Sequence, residues 1–478
     1  MKTALLWLLL FMLCTSTRGQ SINYESNLLT ALSKAKQSNK IIFINIAPPS
    51  FVELQKRLDM PNLKPGLEVP AVVKLYNKRF INLKINLADS AYNAFKKQYP
   101  VRIDSYPAYL FLDSQGEIFY KGISVSSTSP KQYTDMANGA LTAASSGKTI
   151  SNFKTLKAQG KLTQAQLKEC INLRESLGMY DNYLLADEYV KNLTIKSFDD
   201  YQEVLFLWKT GPLAFGKTYN LIYTNRKIID SIFKTEPLQL CKDINNRIIV
   251  NTRNEAIRTK DLNMARQLSN FVQGSWSKES MTQGIKASNE EMLIYYTAVK
   301  DTANYYRQAG YFYDNYYMRL SVDSIKKLKD KALEANRQAS MTRMKQLNPG
   351  LNTNNVQSTS SNGIISTSGI IVSTGGPSQN DASSVLNNAA YTFYTMGTRD
   401  PNNLTKALLW CKRAIALSPN VHAYYDTMAH LLYRLNFYDE ALLNQNKAIE
   451  IAKKETYIQP SYLQLLQKEL ANMQQHTL

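Results

Sequence analysis

Lys40-Ile41-Ile42-Phe43-Ile44-Asn45-Ile46-Ala47-Pro48-Pro49-Ser50-Phe51-Val52-Glu53 is the stretch on which the reading of this 478-residue chain turns. Ile41–Ile46 is an apolar, β-branched run, too short for a helix and broken only by Asn45. That is the pattern of a strand buried on both faces. The proline pair ends it, because neither residue can donate to a sheet ladder. Phe51 to Leu58 then reads as a helix. Ser50 stands where an N-cap belongs, and Glu53, three residues on, completes a capping box.

Working outward, strand and helix patterns alternate. Asn27–Ala35 places Leu28, Leu29, Leu32 and Ala35 at helical spacing. Val72–Tyr76 is a short helix, Phe80–Asn86 alternates as a strand, and Ala91–Tyr99 is helical. Ala108–Leu112 is a strand, Asp113-Ser114-Gln115-Gly116 a turn, and Glu117–Tyr120 the return strand of a hairpin. Lys131–Ala144 closes the segment as a helix. Such alternation argues for an α/β domain with a mixed sheet over residues 20–146.

This order resembles the exported thioredoxin-like family. There a Lys precedes an apolar strand, a Cys-x-x-Cys turn opens a helix, and a Val-x-x-x-x-Pro segment leads to a strand ending in Asp-x-x-Gly. The counterparts are Ile41–Ile46, Val101-Arg102-Ile103-Asp104-Ser105-Tyr106-Pro107, longer by one residue, and Leu112-Asp113-Ser114-Gln115-Gly116. The resemblance covers about a quarter of the chain. It implies that the Tyr106–Pro107 bond is cis and that Pro107 faces the active-site turn, shaping a groove for substrate.

The chemistry of that family is missing. Ser50 and Glu53 occupy the two cysteine positions, with Phe51 and Val52 between them, and no cysteine lies between Gln20 and Glu169. Thiol–disulfide exchange needs a thiolate and usually a resolving thiol. A serine hydroxyl without an adjacent base does not replace them, and the first histidine is His422. No catalytic residue is therefore assigned.

The first residues fix the expected compartment. Lys2, the apolar run Ala4–Leu13 and the small residues of Thr17-Arg18-Gly19 form a secretory signal over residues 1–19, too short to span a bilayer. Beyond it no transmembrane segment is expected. The chain is then exported, periplasmic or extracellular, with at most peripheral attachment to an envelope. Cys170, Cys241 and Cys411 remain, too widely spaced for a disulfide framework or a metal cluster. Cys170 and Cys241 either pair or stay as free thiols. The formal charge of +19 is spread along the sequence, densest in Lys326-Lys327-Leu328-Lys329-Asp330-Lys331, which reads as a solvated helix face. Nucleic-acid binding finds no module to carry it.

Residues 147–345 read as a helical domain: Leu167, Cys170 and Ile171 mark one helix face, and Thr163 with Gln166 forms a capping box. Eight tyrosines between Tyr295 and Tyr317 suit either helix packing or an interface. Residues 346–383, rich in Asn, Ser, Thr and Gly, read as a linker or long loop, with Ile364-Ile365 and Ile370-Ile371-Val372 able to pair as strands. In residues 384–478, Ala407, Leu408, Leu409, Ala414 and Ile415 recur 34 positions later as Ala441, Leu442, Leu443, Ala448 and Ile449. That period, with Tyr425 and Ala429 at the expected aromatic and small positions, resembles tetratricopeptide repeats. His422 and His430 read as repeat-surface residues with no third ligand near them. The combined expectation is an α/β thioredoxin-like domain followed by an all-α region with tetratricopeptide-like helix pairs. It would act as a non-catalytic adaptor or chaperone-like module for a protein or peptide partner, needing neither cofactor nor metal. The rival readings are a thiol–disulfide oxidoreductase working through Cys170 and an envelope carbohydrate-binding protein using the tyrosines.

Overall fold

Ile41–Ala47 is the central strand of a five-stranded sheet. A computed structural model describes residues 21–47, 65–124, 127–276, 280–321, 358–359, 364–367, 370–373, 381–455 and 458–478, with scattered residues between 323 and 341. The signal expected over residues 1–19, the turn expected at Ser50-Phe51-Val52-Glu53 and the helix expected from Phe51 to Leu58 lie outside the described residues. The chain divides into two compact units, residues 1–254 and 255–478.

In the first unit β1 (Tyr24–Glu25), β2 (Ile41–Ala47), β3 (Phe80–Asn86), β4 (Ala108–Leu112) and β5 (Ile118–Lys121) lie in the order β1-β3-β2-β4-β5. β3 runs parallel to β1 and β2, whereas β4 is antiparallel to β2 and β5. The sheet is mixed, as the alternation predicts. β1, two residues long, is too short to carry a readable period.

Period-two alternation explains the two cores. Ile42, Ile44 and Ile46 bury with Ala31 and Ala35 of α1 (Leu28–Ser38) and Phe95 of α3 (Ser90–Gln98). Phe43 points the other way, to Val72, Val73 and Tyr76 of α2 (Pro70–Arg79) and Tyr133, Ala137 and Ala140 of α4 (Pro130–Ser145). Its ring meets Tyr76 at 4.7 Å and Phe111 at 5.2 Å between centroids. Coverage on both faces is why β2 reads as a continuous apolar run. At the hairpin, Asp113 Oδ1 accepts from the backbone N–H groups of Gln115 and Glu117, both at 3.0 Å. Gly116 there has φ +87°, and a Cβ would stand 2.8 Å from Leu32 Cδ2.

The rest of this unit is helical: α5 (Ile150–Ala158), α6 (Gln164–Ser176), α7 (Tyr183–Tyr189), α8 (Tyr201–Lys209), α9 (Lys217–Ile222), α10 (Arg226–Thr235) and α11 (Leu238–Thr259). α6 carries both hydrogen bonds of the Thr163–Gln166 capping box and buries Leu167, Cys170 and Ile171. Ile150, Leu177 and Met179 join the core beneath α1 and α3, so the helical stretch starts against the sheet. The boundary between the two units falls within α11.

The second unit contains α12 (Leu262–Gly274), α13 (Met281–Val299), α14 (Thr302–Tyr313), α15 (Ala382–Thr395), α16 (Pro401–Leu417), α17 (His422–Arg434), α18 (Tyr438–Lys454) and α19 (Pro460–Gln474). α14 continues into one π-helical turn, Asp314–Met318. Tyr305, Phe312, Leu386, Phe393, Trp410 and Leu431 belong to one core, so helices before and after the Asn/Ser-rich stretch bury together. Within that stretch β6 (Ser358–Thr359), β7 (Ile364–Thr367) and β8 (Ile370–Ser373) form an antiparallel three-stranded sheet, pairing the two Ile clusters. Asn436, with φ 67°, makes the turn between α17 and α18, a conformation Asn tolerates. In the basic run, Lys327 and Lys331 are helical and exposed, as a solvated face requires.

Candidate functional site

Two places concentrate the chemistry. The first is the end of the sheet where β4 begins. Ile46 of β2 pairs with Ala108 of β4, so Pro107 lies beside the point where the chain leaves β2 toward Ser50. The Tyr106–Pro107 bond is cis. Tyr106 is 36% exposed; its hydroxyl is hydrogen-bonded to that of Tyr92, and the two rings meet edge to face at 6.2 Å. Lys96 Nζ stands 4.8 Å from the Tyr92 centroid, over the ring. Burial, then the Tyr92 hydroxyl, push the Tyr106 phenol above its ordinary range, so it stays neutral and can both donate and accept. A half-exposed aromatic pair beside a cation suits contact with a chain of mixed apolar and polar character.

The thiols of the described residues are not poised to react. Cys170, Cys241 and Cys411 are all buried and unpaired. Burial pushes the Cys170 thiol up against the opposing pull of Arg174, Lys154 and Lys157. It also raises Cys241, and raises Cys411 to about 12 with help from the Asp426 charge. A thiol needs exposure and a lowered pKa to react. In the native protein these three cysteines are therefore expected to label poorly with a thiol-exchange reagent at pH 8, and to label once the protein is denatured. Rapid native labelling at Cys170 would restore the oxidoreductase reading.

The second place lies among α17, α18 and α19. Ala429, Ala441 and Ala448 are fully buried, where a side chain larger than a methyl would force the helices apart. Tyr425 is half-buried, and its neighbour Tyr424 is the buried ring, with its hydroxyl at Ser383 Oγ (3.1 Å) and Ser384 Oγ (3.0 Å). His430 is not a surface residue. It is 4% exposed and lies one turn from Asp426 on α17, with Glu469 of α19 opposite. Its Nδ1 donates to the Asp426 carbonyl oxygen at 2.8 Å. A carbonyl only accepts, so a proton sits on Nδ1, and Nε2 faces Glu469 Oε1, 3.9 Å away. The Tyr394 ring packs edge-on against the imidazole at 4.8 Å, and the Arg434 guanidinium covers Tyr394 at 3.9 Å. Gln445 Nε2 donates to Asp426 Oδ1 at 3.0 Å and to the Leu466 carbonyl at 3.2 Å. Burial first, then the Asp426 charge, push the Glu469 carboxyl above its ordinary range, with His430 opposing. Sequence spacing misses this cluster because Glu469 is 39 residues beyond His430; the only available signal is the i, i+4 pair Asp426–His430.

The tyrosine-dense stretch divides. Tyr295, Tyr296, Tyr305 and Tyr317 are buried in the core of the second unit, and Tyr311 is exposed. Tyr305 and Tyr306 both contact Phe393, at 5.8 and 4.8 Å between centroids. These two rings serve packing. Among the described residues no helix is long and apolar enough to cross a membrane.

Compared with known proteins, the chain matches no protein-family model and no curated protein.

Proposed function

We propose that this chain is an exported thioredoxin-like protein without thiol chemistry, carrying tetratricopeptide-like helix pairs, that acts as a protein-binding adaptor or chaperone-like module. The observation that carries this reading is the mixed sheet, covered by helices on both faces and closed by an antiparallel hairpin, in a segment with no cysteine at the positions the resemblance marks. A mixed sheet in a segment without those cysteines supports binding over thiol exchange. The surface beside Tyr106 and Tyr92 is the place for an extended peptide. The helix pairs supply a second surface. In support of the repeat reading, Ala407 and Ala441, like Ala414 and Ala448, stand 34 residues apart and are each fully buried. Equal burial at equal spacing is what stacked, equivalent units produce.

The test joins two assays on the mature protein. Insulin reduction with dithiol as electron source is expected to run at the uncatalysed rate, and robust turnover would end the non-catalytic reading. Fluorescence anisotropy against a panel of unfolded extended peptides is expected to find binders that Tyr106→Ala weakens by roughly tenfold, the loss of one partly buried aromatic contact of about 1.4 kcal/mol. A panel without a single saturable binder would overturn the peptide-groove assignment.

A further inference from the structure

We propose that Asp426, His430 and Glu469 form a binding site for one divalent transition-metal ion, zinc foremost, between α17 and α19. The ligand atoms of the three side chains all lie within 4.8 Å of one another. Two ligands about 2.1 Å from a tetrahedral ion stand about 3.4 Å apart. Closing the site therefore takes a shift of up to about 1.4 Å, within reach of a long side chain such as Glu469, which is 24% exposed. One imidazole and two carboxylates form a donor set for zinc and its first-row neighbours; calcium and magnesium prefer oxygen alone.

Three further observations point to an ion. The His430 tautomer is set by its bond to the Asp426 carbonyl, the arrangement by which metal-binding histidines are usually oriented. Its Nε2 looks at Glu469 Oε1 across 3.9 Å, beyond hydrogen-bond reach, in a side chain only 5% exposed. Gln445, fully buried, is aimed at the same place: its Nε2 holds Asp426 Oδ1, and its Oε1 has no partner. Asp426 and Glu469 stand side by side and partly buried, where ionised carboxylates repel one another, and a divalent cation offsets that repulsion. Three protein ligands leave a coordination position open, so the ion would also have room for a water or for a donor from a partner.

Zinc titration of the untagged mature protein, by calorimetry and by competition with a chromophoric chelator, is the experiment. One equivalent is expected, with binding weakened at least about 100-fold in Glu469→Gln and in His430→Asn. Gln445→Leu, which removes only an orienting group, is expected to lose about 10-fold. His422→Ala should bind as the parent does, although His422 Nδ1 lies 3.0 Å from Glu455 Oε1. Cobalt(II) in place of zinc reports the donor set through its visible absorption, which should change in His430→Asn. Glu469→Gln is isosteric and partly exposed, and its circular dichroism verifies folding independently of metal. Absence of saturable binding at one equivalent overturns the site. So does unchanged affinity in folded Glu469→Gln.

Discussion

Trp410→Ala is expected to loosen the second unit by about 3–5 kcal/mol, the cost of emptying a fully buried indole site. Trp410 is 0% exposed, with ring centroids 4.9 Å from Phe393 and 5.1 Å from Tyr313. It thus joins α16 to α15 and to the end of α14. Its Nε1 donates to Asp314 Oδ1 at 2.8 Å, in the π-helical turn, while Lys406 Nζ holds Asp314 Oδ2 at 2.7 Å. Trp410→Phe keeps most of the ring and loses the donor to a carboxylate, for about 2 kcal/mol. Because the chain has two compact units, a single unfolding midpoint mixes their contributions. Hydrogen exchange followed by mass spectrometry on peptides from α15 to α17 separates them. Protection there should fall by roughly two to three and a half orders of magnitude in Trp410→Ala. Peptides from β2 and β4 should be unchanged. Equal protection in variant and parent would refute the anchoring role.

Arg247→Ala is the larger effect expected in the first unit, at about 2–3 kcal/mol near neutral pH. Arg247 Nη1 donates to the Lys209 carbonyl at 2.6 Å and to Glu175 Oε1 at 3.0 Å, and its guanidinium lies 3.9 Å from the Tyr180 centroid. The pair is largely out of water, with side-chain exposures of 16% and 21%. Burial holds the Glu175 carboxyl above its ordinary value of 4.5, while Arg247 and Lys209 pull it back down. A carboxyl raised in the folded state makes the folded chain bind more protons than the unfolded one. Its contribution is present below pH 4.5 and is lost as pH rises through the folded value. Removing Arg247 lifts the folded value further and extends that window upward. The variant's deficit should therefore be larger at pH 7 than at pH 4, where Glu175 is mostly protonated in both states. What remains at pH 4 reports the lost Tyr180 stacking and the lost bond to Lys209. Denaturant unfolding at the two pH values, read through exchange protection of α6 and α11, measures both parts. A deficit that does not change with pH would show that Glu175 is not the group Arg247 compensates.

Much of the fold was readable from local pattern. Phe80–Asn86 and Ala108–Leu112 are strands over the bounds their alternation and apolar content suggest, and Thr163 with Gln166 caps α6 as its spacing requires. These features depend on neighbours within a few residues, where periodicity and side-chain reach act directly. β1 escaped because two residues carry no period, and its place is set by pairing with β3 across more than fifty residues of chain. The tyrosines between Tyr295 and Tyr317 were ambiguous for a related reason. Composition supplied the rings, but their burial depends on α15 and α16, far along the sequence.

By itself the sequence determined the alternation that builds the mixed sheet, the helical character of most of the described residues beyond 146, and the absence of cysteine between Gln20 and Glu169. It did so because residue type and short-range spacing are sufficient for those features. Tertiary structure alone decided which groups meet. It buried Cys170, Cys241 and Cys411, turning potential nucleophiles into core thiols raised by desolvation. It also brought Glu469 of α19 to the Asp426–His430 face of α17, making a polar cluster from residues whose separation along the chain carries no such signal. Bringing distant side chains together costs chain entropy and needs packing on every side to hold them, and that packing is a property of the whole folded unit.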